Sequence, residues 1–184
     1  MLKQCPAFVL PAPEGILSGR QRGEGLLAQL SDHLRSGSPD SVTPLDFSQV
    51  SFIDISSADE CLVKLLLRIG SGEIGSRYVF VRNANESVRE TLDAVLKLRT
   101  MAALCETGEG VRMLGKLKTP IREALDVMLE KKQGTSSEIA EALGKNINIA
   151  CNRLNTLQRM GLVCRTKDAS VEGGGRQFIY ESIL

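Results

Sequence analysis

The chain has 184 residues, 42% of them hydrophobic, and a formal net charge of +1; that is enough for one or two domains with real cores and excludes wholesale disorder. No stretch approaches the roughly 18 consecutive apolar residues of a membrane span, and Pro6, Pro11, Pro13 and Glu14 break up any secretory leader after Lys3. Cys5, Cys61, Cys105, Cys151 and Cys164 form no CxxC pair and His33 is the single histidine, so the chain is expected to be a cytoplasmic protein with reduced thiols, no metal, no cofactor and no enzymatic activity.

Ala7–Leu10 is a short apolar run that can open as a strand. Ser18 can cap a helix from about Gly19 to Leu34, with Leu26, Leu27, Leu30 and Leu34 at helical spacing. The glycines in Gly19-Arg-Gln-Arg-Gly23-Glu-Gly25 lack the Gly-Lys-Ser/Thr ending of a phosphate loop and read as a flexible helix start. Ser36-Gly-Ser-Pro-Asp40 is a turn cluster. Val42–Phe47 reads as a buried strand in which Pro44 needs an unpaired edge or the strand start, because proline has no amide to give a ladder. Ser56 or Ser57 caps the next helix, with Asp59 or Glu60 completing a capping box, and Gly70-Ser-Gly72 ends it. Tyr78–Val81 is a strand, Asn85 opens a helix to about Leu98, and Met101–Cys105 and Val111–Leu114 are two short strands. Strands alternating with helices predict an α/β domain with a central mixed sheet over residues 1–117.

After Lys116 the pattern changes. Thr119, followed by Pro120, opens a helix to about Lys132; Ser136 caps a second; Gly144 stops it; a third runs through Asn146–Val163. Leu162–Lys167 and Gln177–Ile183 then flank Gly173-Gly-Gly175 as a hairpin. Three helices and a hairpin over 118–184 outline a winged helix-turn-helix.

The third helix is unusual for its asparagines, which are poor helix formers. At 3.6 residues per turn, Ile147, Ala150, Leu154, Leu157 and Gly161 make one apolar stripe. Asn148, Asn152, Asn155 and Arg159, spaced four, three and four, make one ridge on the other side. A solvated surface would normally carry helix-favouring Glu, Lys and Gln, yet no carboxylate occurs from 145 to 164. Asparagine can pair bidentately with adenine and arginine with guanine or phosphate in the major groove. Residues 1–117 hold 13 basic and 14 acidic side chains, net −1, whereas 145–176 holds six basic (Lys145, Arg153, Arg159, Arg165, Lys167, Arg176) against Asp168 and Glu172, net +4. This local positive charge suits double-stranded DNA as the partner.

The order of Ala124–Leu129, Thr135–Leu143, Ile149–Val163 and the glycine-tipped hairpin, with the phrase Ala150-Cys-Asn-Arg-Leu154 before Gly161-Leu-Val163, resembles the winged helix-turn-helix family of prokaryotic transcription regulators. The resemblance implies that Asn148, Cys151, Asn152 and Asn155 reach bases. Lys145 borders the same surface, and Arg165, Lys167 and Arg176 of the wing would hold phosphates. A homodimer would require an inverted-repeat site.

Phe52-Ile-Asp-Ile-Ser-Ser-Ala-Asp-Glu60 resembles the strand–loop–helix of STAS domains, the sulfate-transporter and anti-sigma-factor-antagonist fold, and in particular the STAS-like variant joined to helix-turn-helix or kinase-like ATPase domains. That likeness covers residues 5–117 and places the serine modified in antagonists at Ser56, beside Ser57. It implies an alternative function, a partner-switching adaptor controlled by an ATPase-type serine kinase.

Overall fold

The computed structural model describes residues 2–171 and 175–184, and their side chains except those at 167–177. It is an α/β structure around a mixed sheet. Strands β1 (Lys3–Gln4) and β2 (Phe8–Val9) lie in succession along one edge of β4 (Ser41–Asp46). Beyond β4 come β6 (Arg77–Arg82), β7 (Ala102–Thr107) and β8 (Gly110–Gly115), all parallel except β8, which runs antiparallel to β7. β3 (Ile16–Leu17) and β5 (Phe52–Ile53) pair separately.

The strands show why both faces of this sheet are covered. Along β6, Val79 and Val81 belong to one buried cluster, Tyr78 and Phe80 to another. β7 alternates likewise, with Ala103 and Cys105 on one side and Ala102 and Leu104 on the other. Period-two alternation sends successive side chains to opposite faces, so a strand apolar throughout needs cover on both. The first face is covered by α1 (Arg20–Ser36), the helical run made of α2 (Ile55–Ala58), a π-turn (Asp59–Val63) and α3 (Lys64–Gly70), and α4 (Glu86–Leu98). The second is covered by the carboxy-terminal segment: α5 (Thr119–Lys131), α6 (Ser136–Leu143), α7 (Ile147–Arg159), β10 (Val163–Val171) and β11 (Gly175–Ser182) contribute Leu125, Met128, Ile139, Leu154, Leu157, Cys164 and Tyr180 to the cluster that holds Tyr78 and Phe80. β11 also pairs with β9 (Gln133–Thr135), closing a three-stranded sheet.

Pro44 turns out to be interior to the sheet. Its even-numbered neighbours Val42 and Asp46 offer their carbonyls to the β1–β2 edge, accepting from Cys5 and Leu10. Proline shares that parity, so its missing amide faces the interruption between β1 and β2, where no ladder bond is lost.

Several caps differ from those expected. Ser18 does not cap α1; its N-cap is Gly19, with no side-chain bond, and the Ser18 hydroxyl donates instead to Asp54. Asp54, not a serine, caps α2, and Asp59 and Glu60 form no capping box but pair with Arg99 and with Arg20 and Lys64. Thr135 rather than Ser136 caps α6, in a reciprocal box with Glu138. Lys118 precedes α5 without a side-chain cap. Asn85 caps α4 through the Val88 amide at 2.9 Å, as expected. Gly23 is not a loosener of the α1 start: a Cβ there would lie 2.6 Å from Glu60 Cβ and 2.9 Å from the Ser57 carbonyl, so glycine lets α1 and α2 approach closely.

Among the described residues no helix is long and apolar enough to cross a membrane, and no three His, Cys, Asp or Glu side chains gather to hold a metal ion. His33 is half-buried on α1, edge-on to Phe8 with ring centroids 5.1 Å apart.

Candidate functional site

α7 answers the question of its asparagines one residue at a time. Asn146 is the N-cap: its side chain accepts from the Ile149 amide at 3.0 Å, satisfying a donor the helix cannot. Asn155 is half-buried, and the Tyr180 hydroxyl of β11 donates to its Oδ1 at 3.0 Å. Burial pushes the Tyr180 phenol up from its ordinary pKa, so it remains a donor at neutral pH. Asn148 and Asn152 are exposed and make no side-chain bond within the described residues, while Lys145 stands exposed beside them.

Beneath this ridge Ala150, Leu154 and Leu157 are fully buried. The expected stripe is shorter than its spacing suggested. Ile147, its first member, is 45% exposed, and Ile149, outside the stripe, is 38% exposed. Cys151 is half-buried on the flank. Arg159 is exposed at the far end of α7, where the helix meets the end of α3.

The local positive charge is partly used up within the fold. Arg153 reaches back to Glu123 of α5 at 2.9 Å and is only 12% exposed. Arg165 is exposed on β10, its guanidinium 4.3 Å above the Phe178 ring, a cation–π contact that holds it on the hairpin surface. The side chains of Lys167 and Arg176 and the hairpin tip at 172–174 lie outside the described residues.

A second arrangement surrounds Ser56. The Asp54 carboxylate accepts from the Ser57 amide at 2.7 Å, the Ser18 hydroxyl at 2.7 Å and the Gly19 amide at 2.8 Å, tying the start of α2 to the start of α1. Burial works to raise this carboxyl, but the Ser57, Ser18 and Gly19 donors outweigh it and hold Asp54 below the usual carboxylate range. Ser57 is 1% exposed, with its hydroxyl donating to the Gly19 carbonyl at 2.9 Å. Of the two serines, therefore, only Ser56 is open to a partner; burial corrects the pairing of Ser57 with it. Ser56 lines a hollow of about 410 Å³ with Arg20, Ile55, Asp59, Val95, Leu98 and Arg99. Arg99 grips both Asp59 oxygens at 2.8 Å. Ile16, Phe52, Ile55 and Leu98, between 43% and 72% exposed, leave apolar surface at this end of the fold. Leu98 and Arg99 carry no sequence signal linking them to Ser56; only the packing of α4 beside α2 brings them there.

Loss of the Asp54 cap should be measurable. Asp54→Ala is expected to destabilise the fold by about 1–2 kcal/mol. The folded-state pKa is depressed, so the stabilisation is fully present above the unfolded value and disappears as pH falls through the folded one. Urea midpoints across the acid range should therefore fall less steeply with pH for Asp54→Asn than for the parent chain; parallel curves would contradict the role given to this carboxylate.

A scan against protein-family models finds none that matches the chain. A search of curated proteins likewise returns no match.

Proposed function

We propose that the chain is a DNA-binding transcriptional regulator of prokaryotic type. In this reading residues 118–184 form a winged helix-turn-helix, with α7 as the reading helix and the β10–β11 hairpin as the wing. Residues 1–117 form a STAS-like unit that senses a signal or a partner. The observation that carries the proposal is that Lys145, Asn148 and Asn152 stand exposed, above buried leucines, in a segment (145–164) that contains no carboxylate. A B-DNA major groove admits one α-helix, and asparagine amides there match the donor and acceptor of adenine. The test is a binding titration on the DNA upstream of the chain's own gene at two salt concentrations, against an unrelated duplex of equal length. Saturation at the same protein concentration on both duplexes would remove the claim of sequence reading. Arg165→Ala should weaken binding to both duplexes and flatten the slope of log affinity against log salt by about one unit, because the variant neutralises one phosphate fewer.

A second reading keeps the Ser56 arrangement in view: a signalling adaptor whose partner is an ATPase-type serine kinase. It is favoured by an exposed Ser56 that shares its hollow with Ile55, Leu98, Arg20 and Arg99. Asp54 and Asp59 are both committed to donors, so they would oppose an added phosphate less than bare carboxylates would. Intact-mass analysis after co-expression with such a kinase should show one added phosphate, absent in Ser56→Ala; unchanged mass would argue against the adaptor.

A further inference from the structure

Where the end of α3 meets the end of α7, the two halves of the chain touch through backbone. A Cβ on Gly70 would lie 2.8 Å from the Arg159 carbonyl, so the approach is too close for any other residue. Beside it lies a hollow of about 440 Å³. Its walls come from both halves: Leu66 and Leu67 on α3, Met101 and Ala102 entering β7, and Met160 after α7. Leu67 is 56% exposed although it sits among these apolar groups. Arg159 lines the same hollow, has no ion-pair or hydrogen-bond partner among the described side chains, and is joined there by no carboxylate.

The geometry points to a binding site for a small organic acid with an apolar body. Ligand sites are typically concave, mostly apolar, of a few hundred cubic ångströms, set between structural units, with a few polar groups that fix orientation. Leucine and alanine would take the hydrocarbon, and the flexible thioethers of Met101 and Met160 would adjust to its outline. Arg159 would receive the carboxylate in a two-pronged, charge-assisted pair. A polar solute would leave the leucines wetted, and an apolar cation would meet Arg159. Arg77, which with Gly70, Ser71 and Arg159 lines a neighbouring hollow, does not compete for the acid, because its guanidinium is occupied by the Leu34 and Gly37 carbonyls at 2.9 and 2.8 Å. Such a ligand would touch α3 and the end of α7 together, so this site is the place for an inducing signal to reach the reading helix. That coupling rests on the regulator proposal; the binding itself does not.

The test uses the full chain without DNA, titrated calorimetrically with benzoate and with octanoate, and with benzamide and octanol as neutral counterparts. At least one acid should bind saturably and roughly tenfold more tightly than its neutral counterpart. Arg159→Gln should abolish that preference and Arg159→Lys should keep part of it, with thermal unfolding unchanged in both because the side chain is exposed. Leu67→Glu, another exposed position, should eliminate binding of the acids by repulsion. Absence of saturable binding by either acid, or an undiminished acid preference in Arg159→Gln, would overturn the site. In a separate arm, the bound acid should shift DNA affinity by a factor that DNA returns to the acid. If acid binds but no DNA does, the site stands and the regulator reading falls.

Discussion

Leu154→Ala should cost about 2–5 kcal/mol and should lower the stability of the sheet as well as of the helices. Leu154 is fully buried in the cluster that also holds Val42, Tyr78, Phe80 and Leu104 from the sheet, together with Leu125, Met128 and Tyr180 from the carboxy-terminal segment. Truncation removes its transfer free energy and leaves a cavity whose walls are shared by both parts of the chain. If that cluster is one core, hydrogen exchange should slow or quicken together in β6 and in α7, and denaturant unfolding should remain a single transition at a lower midpoint. A variant whose sheet amides keep their full protection while α7 loses its own would show that the segment 118–184 opens separately. Under the proposed regulator function the outcome would also bear on regulation, since α7 shares a buried cluster with the sheet and its movement would repack that cluster.

The second large effect is expected at the ridge. Replacing Asn148 and Asn152 together by alanine should weaken specific DNA binding by about 1–3 kcal/mol for each base no longer read, and leave non-specific binding nearly unchanged. Neither side chain bonds to the rest of the fold, and alanine is the better helix former. The double variant should therefore be as stable as the parent or slightly more so. That combination of firmer folding with poorer recognition marks residues kept for a partner. Asn155 should behave differently: its Oδ1 already receives the Tyr180 hydroxyl, so Asn155→Ala is expected to lose stability along with affinity. Equal affinity loss on every DNA sequence for Asn148→Ala and Asn152→Ala would mean that they do not read bases.

Period and punctuation were legible where they act locally. The short continuous apolar runs of β6 and β7 and the leucine spacing in α1 and α7 announce their elements, because burial on both faces of a strand or on one face of a helix follows the geometry of that one element. Asn85 and Gly144 were legible for the same reason, since each serves the helix it borders. The starts of α1 and α2 are less legible because Ser18, the local candidate for α1, is drawn to Asp54 across the fold. Asp54 serves α2 through the Ser57 amide but also takes Ser18 and the Gly19 amide, 35 or more residues away. Serine and aspartate types alone do not say which of several candidates is chosen when two helix starts meet.

The chain's residues alone determined an α/β sheet followed by three helices and a hairpin, and gathered the asparagines of α7 on the side away from its leucines. Only tertiary packing decided which of those asparagines is free: Asn155 is engaged by a tyrosine 25 positions along, while Asn148 and Asn152 are left open. Packing also laid the carboxy-terminal helices on the second sheet face, made Gly23 and Gly70 points of close approach, and brought Arg159 to a hollow walled from both halves of the chain. The reason is physical: helical and strand periods follow from backbone geometry within one element, whereas the choice of neighbour depends on excluded volume and hydrogen bonds between segments far apart in the chain.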